Sequence, residues 1–192
     1  VDTTGEGEVI ELFTSVDLSL RSACNLRRWY PNGTVVWPGG SRELPADGDC
    51  IGEAVKFGPD GTIVATGNVH KAGVSRWHMW RMSSDGQLLE DPMIGNAKSV
   101  VGGLDVNAAG DVVVCGGRPV FAGNTDMWIK YLPAQGPGWT IDWNYIPANE
   151  WEGNKFDEKA EDCGFIDGKI IVVGEAFGRH ADKDNVERAR GF

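Results

Sequence analysis

Short apolar runs bracketed by glycine recur along the chain: "GTIVATG" at residues 61–67, "GDVVVCG" at 110–116 and "GKIIVVG" at 168–174. Each follows a run that alternates and closes on turn residues, "EAVKFGPDG", "GGLDVNAAG" and "DCGFIDG". Pro59-Asp60-Gly61, Ala109-Gly110 and Asp167-Gly168 supply the turns, which makes each glycine-bounded run the second strand of a hairpin. Loops are expected next, "NVHKAGVS", "GRPVFAGNT" and "EAFGRHADKD", and then an aromatic-rich strand closed by a further turn. "RWHMWRMSSDGQLL" and "DMWIKYLPAQGPGWT" have that layout, and so does "CNLRRWYPNGTVVW" near the N-terminus. Aligning them on Gly33, Gly86 and Gly136 stacks Leu26 with Met79 and Ile129, and Trp29 with Met82 and Leu132.

Each unit therefore carries four short antiparallel strands, and no 3.6-residue period is long enough for a helix. A sheet of that size cannot bury both faces alone, whereas sheets stacked around an axis do so for one another. The expected fold is all-β, a β-propeller of about three and a half units, with boundaries near residues 7–47, 48–97, 98–157 and 158–192. The first unit reads as starting at its second strand and the last as stopping inside its third. The β-branched runs, Ile170, Ile171 and Val172 among them, are expected to be covered on both faces by neighbouring units. Gly67, Gly116 and Gly174 are expected to end that strand, where the backbone bends or approaches another chain closely. Propellers usually have about 4 to 8 blades, so the chain is a segment of a larger ring, half of a ring completed by a second copy, or an open arc.

The stretch "V-x-F-x-P-D-G-T-I-V-A-T-G" from Val55 to Gly67 and "D-M-W-I-K-Y-L" from Asp126 to Leu132, the latter followed by Gly136 and Trp139, resembles bacterial secreted and cell-surface proteins built from β-propeller repeats. The resemblance runs from about Gly7 to Phe192, and its motif specifies a blade far better than a task. It implies an exported, extracellular or cell-surface propeller. One departure is "HMWRM", which puts His78 in the slot that Trp128 fills.

A net charge of −10 over 192 residues changes the picture only by exclusion, since nucleic-acid binding needs a basic stripe and none is present. No apolar run approaches a membrane span, and "VDTTGEGEV" has neither a basic leader nor an apolar signal core. A chain starting at Val1 reads as a processed product or as a piece of something longer. Cys24, Cys50, Cys115 and Cys163 form no CxxC pair and have no histidine at zinc spacing. Cys24 and Cys50 flank a strand pair and are candidates for a disulfide in an oxidising compartment, while Cys115, inside an apolar strand, reads as a buried thiol.

Candidate chemistry is sparse. There is no GxSxG elbow, P-loop or paired GxGxxG. His78 reads as a packed side chain; His70 and His180 follow the glycines of two units and are expected on loops of one face, as candidate ligand contacts. Asp182, Asp184 and Glu187 offer hard oxygens at alternate positions, a candidate Ca2+ site, although the EF-hand glycine and spacing are absent and a solvated acidic loop is the competing reading. Among the tryptophans, Trp29 and Trp128 read as packing between units. Trp143 and Trp151 lie in a long insertion, residues 139–159, and are the candidate exposed pair for a glycan or protein ligand. The reading is an extracellular binding module without an identified catalytic site. Two alternatives stand beside it: a polysaccharide hydrolase or lyase using central acidic residues, with Asp142 or Glu150 as the ones to test, and a structural fragment of a larger repeat array.

Overall fold

The computed structural model describes residues 1–119, 125–143, 156–178 and 188–191. Those residues are all-β. The first sheet comprises β1 (Asp2–Thr3), β2 (Val9–Val16), β3 (Ser22–Trp29) and β4 (Arg42–Glu43), and the second β5 (Asp49–Phe57), β6 (Ile63–Lys71), β7 (Val74–Met82) and β8 (Met93–Ile94). The third holds β9 (Val100–Val106), β10 (Val112–Pro119), β11 (Thr125–Leu132) and β12 (Trp139–Trp143). The fourth holds β13 (Phe156–Ile166), β14 (Lys169–Gly178) and β15 (Arg188–Gly191). Every sheet is an antiparallel meander in chain order, three with four strands and one with three. The first unit starts one strand earlier than its pattern suggests, because Asp2 and Thr3 pair with Ile10 and Val9.

One turn recurs. In it a residue's N–H reaches the carbonyl four positions on, and the N–H three positions on returns to its carbonyl; it occurs at Thr4, Tyr30, Gly58, Ser83 and Asn107. In these five the fourth residue is a glycine at positive φ, namely Gly7, Gly33, Gly61, Gly86 and Gly110, in backbone space that a Cβ disfavours; the same turn at Asp17 puts Leu20 there instead. At residues 166–169 and 71–74 the hairpins use two-residue turns, with Asp167-Gly168 and Ala72-Gly73 both at positive φ.

The glycines of the recurring run do not end its strand. β6, β10 and β14 continue to Lys71, Pro119 and Gly178, so most of the expected loop "NVHKAGVS" is strand. Gly67, Gly116 and Gly174 each lie beside a β-bulge in the pairing with the preceding strand, at Gly52/Ala54, Cys115/Gly116 and Ala160/Asp162. A Cβ on any of the three would overlap a carbonyl oxygen of the strand alongside, that of Ile51, Val100 or Lys159. The bulge brings two backbones together, and glycine is what leaves room.

The sheets stack in chain order, and the first strands β1, β5, β9 and β13 lie in succession along the inner edge of an arc. Alternate residues of each second strand point to opposite neighbours. Ile63 and Ala65 face the first sheet, in the core with Ile10, Leu26 and Trp80, whereas Val64 faces the third, with Val112 and Val114. Val113 and Cys115 face the fourth, with Ala160, Cys163, Ile170 and Val172. The expectation of cover on both faces holds for β6 and β10. It fails for β14, where Ile171 and Val173 are 42% and 47% exposed because no further sheet of the described residues lies against them. The arc is open.

Cys24 of β3 and Cys50 of β5 form a disulfide, with Cα atoms 5.3 Å apart, that ties the first sheet to the second. Cys115 and Cys163 are buried free thiols between the third and fourth.

Candidate functional site

Charge gathers first at the inner edge. Asp2, Lys56 and Asp105 each stand five residues before a turn glycine, Gly7, Gly61 and Gly110, so the repeat delivers them to one level of successive sheets. Lys56 Nζ lies 3.8 Å from Asp2 Oδ1 and 3.7 Å from Asp105 Oδ1. Each carboxylate also accepts a backbone N–H from the next sheet, Asp2 from Phe57 and Asp105 from Phe165, both at 2.8 Å. Asn68 clamps the same seam, its side chain accepting from Val101 N–H at 2.9 Å and donating to Glu53 at 2.7 Å. These polar groups staple sheets together. A cleft of about 490 Å³ opens beside them, lined by Glu53, Lys56, Asp105, Asp162, Ile171 and Val173 among others.

A second cleft, of about 140 Å³, lies between the second and third sheets. The Trp77 indole packs against Gly95, where a Cβ would collide with its ring nitrogen, and stacks on Trp128. Arg118, Lys130, Asn96, Ser99 and Thr140 supply the polar wall. Lys130 Nζ is 3.4 Å from the Thr140 hydroxyl, and the exposed Ile94 contributes an apolar edge. Two cations therefore line a cleft with two buried aromatics in a chain of net charge −10.

The nominated residues are placed as follows. His70 is exposed, one residue from the end of β6 and opposite Asp49 and Ser75 in the register, on a strand instead of the expected loop. Trp143 is the last residue of β12, paired with Met127. β6, β10 and β12 finish at the same end of their sheets, so His70 and Trp143 share a rim while belonging to different sheets. Asp142 pairs with Trp128 on β12, the strand farthest from the inner edge, and so is not a central-face acid. Glu150, Trp151, His180, Asp182, Asp184 and Glu187 lie outside the described residues. Among the described residues no group of three or more His, Cys, Asp and Glu could hold a metal, and no helix is long and apolar enough to cross a membrane.

His78 is buried against Trp80, ring centroids 5.6 Å apart. Burial lowers its pKa, outweighing the carboxylate of Asp47, and Arg76 adds to the lowering. Trp128 is packed between sheets, but Trp29 is not: it lies on the outer face of the first sheet with the Arg27 guanidinium 5.6 Å from its ring centroid. Sequence reasoning missed Arg118, Lys130, Asn68 and the Asp2–Lys56–Asp105 row. The constant offset from the turn glycine was a signal for the row; nothing comparable marked the others.

Residues 58–88 match a family model described as a domain of unknown function (DUF5122) beta-propeller. The match takes in the Gly61 turn, β6, β7 and the Gly86 turn, the two central strands of the second sheet. No curated protein matches the chain. With its stacked four-stranded sheets, the chain is a β-propeller repeat protein in an open arrangement.

Proposed function

We propose that the chain is an extracellular or cell-surface interaction module that holds a protein or glycan ligand at the rim where β6, β10 and β12 end. The observation that carries this reading is the cleft beside that rim, which Arg118 and Lys130 line together with the stacked Trp77 and Trp128. Two cations beside the polar side chains of Asn96, Ser99 and Thr140 suit an anionic or hydroxyl-rich group of a protein or glycan. The segment after Trp143, which carries Trp151, joins β12 to β13 and so leaves from the same rim; Trp143, Trp151, His70 and His180 are proposed as further contacts. The Cys24–Cys50 disulfide supports an oxidising compartment. A role as scaffold, not catalyst, is supported at the inner edge, where the carboxylates of Asp2 and Asp105 are engaged by backbone N–H groups and Lys56.

The test is binding of the purified chain to immobilised glycans and surface proteins, beside a Lys130→Glu variant and a Trp143→Ala/Trp151→Ala variant. A ligand whose affinity falls at least about tenfold in both variants, each keeping the wild-type melting temperature, supports the reading. Ligands bound equally by all three proteins would refute it.

A further inference from the structure

We infer that the uncovered face of the fourth sheet, centred on Ile171 and Val173, docks on the outer face of the first sheet of a second copy of this chain. Ile171 and Val173 stand three and five residues after Gly168, as Val64 and Thr66 do after Gly61 and Val113 and Cys115 after Gly110. Those four earlier residues are all buried against the following sheet or its first strand, none more than 3% exposed. The interface that recurs along the arc therefore continues onto β14 with its apolar residues in place and its partner missing. Lys169 and Glu175 flank Ile171 and Val173 on the same face of that strand, and Asp162 is the cross-strand partner of Val173.

The first sheet presents the reciprocal surface. On β2 and β3 the residues turned away from the second sheet are Val9, Glu11, Phe13, Arg27 and Trp29, with Val9 opposite Trp29 and Glu11 opposite Arg27. In the second sheet the corresponding positions are apolar and buried, Ile63 with Met82 and Ala65 with Trp80, and the buried His78 follows opposite Gly67. The first sheet keeps the apolar element in Val9, Phe13 and Trp29 but adds a cation, Arg27, whose guanidinium lies 5.0 Å from the Phe13 ring centroid. Apolar residues thus meet Ile171 and Val173, Arg27 meets the carboxylate of Glu175, and Glu11 meets Lys169. The two surfaces lie on different sheets, so the contact is heterologous; two copies related by a twofold axis make it twice and close a ring of eight sheets, within the usual size of about 4 to 8 blades. This interface is separate from the rim proposed to hold a ligand.

Size exclusion with light scattering on the 192-residue chain tests this. The expected mass is twice the 20.8 kDa of one chain. Arg27→Glu is expected to weaken dimerisation at least about tenfold and Arg27→Glu with Glu175→Arg to restore most of it, and Ile171→Asp/Val173→Asp is expected to give a monomer with unchanged circular dichroism. Arg27 and Glu175 are on solvent-facing surfaces, so their variants report on docking even if the double aspartate variant does not fold. A monomeric wild type at on the order of 100 µM, the result expected if a further repeat of a longer protein and not a second copy covers β14, would overturn the proposal. So would a dimer indifferent to Arg27→Glu, which would put the contact on another surface.

Discussion

The indole rings of Trp77 and Trp128 stack across the second and third sheets with centroids 4.9 Å apart and planes inclined by 19°. Trp128 Nε1 is buried without a hydrogen-bond partner, whereas Trp80 Nε1 donates to the Pro45 carbonyl at 2.9 Å. The two tryptophans therefore differ in what their nitrogens contribute. Trp128→Phe removes buried ring volume and is expected to destabilise by about 1–3 kcal/mol, and Trp80→Phe by about 1 kcal/mol more, for the hydrogen bond lost and the carbonyl left unpaired. Denaturant unfolding of the two variants compares them directly.

Gly116 sits mid-strand where a side chain would strike the Val100 carbonyl, beside the register shift at Cys115/Gly116. Gly116→Ala is expected to destabilise by about 1–3 kcal/mol through overpacking. Gly5→Ala, at a position with open space around it, is expected to leave the melting temperature unchanged.

The four cysteines should fall into two classes. Cys24→Ala/Cys50→Ala removes the tie between the first two sheets and is expected to cost about 2–4 kcal/mol. The Cys163 thiol is pushed up in pKa by its hydrogen bond with Cys115 and by burial, so it stays protonated and unreactive in the folded protein. Mass spectrometry after alkylation should find no adducts on the native chain and two after unfolding without reductant, on Cys115 and Cys163.

At the inner edge, Asp105 accepts the Phe165 N–H at 2.8 Å and lies 3.7 Å from Lys56. Asp105→Ala is expected to destabilise by about 1–3 kcal/mol, chiefly because the backbone N–H loses a charged acceptor. Lys56→Ala, a partly exposed ion pair, should remove at most about 1 kcal/mol.

His78 gives stability a pH dependence of definite sign. Its folded-state pKa is lowered from 6.5 by burial, so the unfolded chain binds the proton more readily and stability rises with pH. The contribution is complete above the unfolded value and is lost as pH falls from about 6.5 toward the folded pKa. The turn carboxylate of Asp60, held below its usual 3.8 by the Thr62 hydroxyl, adds a separate loss only at lower pH. Melting temperatures between pH 7.5 and 5 should fall in the wild type and fall less in His78→Phe.

The strands were legible because each carries a local signal: β-branched residues between glycines, and a turn glycine at fixed spacing. The function of Gly67, Gly116 and Gly174 was half legible. Close approach was readable from glycine in an apolar strand, but whether the strand stops there depends on the bulge beside it. The links between sheets were not legible. Asn68 to Val101 and Asp105 to Phe165 join residues 33 and 60 apart, and the stagger of one sheet on the next decides which pairs meet. The same holds for the rim cleft, since Arg118 and Lys130 become neighbours of Trp77 only when the second and third sheets stack. Cover on both faces of β14 was expected from composition alone; composition records what a strand is suited to pack against, and Ile171 and Val173 are suited to a sheet that is not beside them.

Hydrogen–deuterium exchange of the chain with and without the ligand found in the binding panel tests the central claim most directly. The account predicts slower exchange confined to the rim, at Ile94, Asn96, Ser99, Arg118, Lys130 and Thr140, with the inner edge unchanged. Protection centred instead on Glu53–Lys56 and Leu104–Asp105, with the rim unaffected, would contradict it.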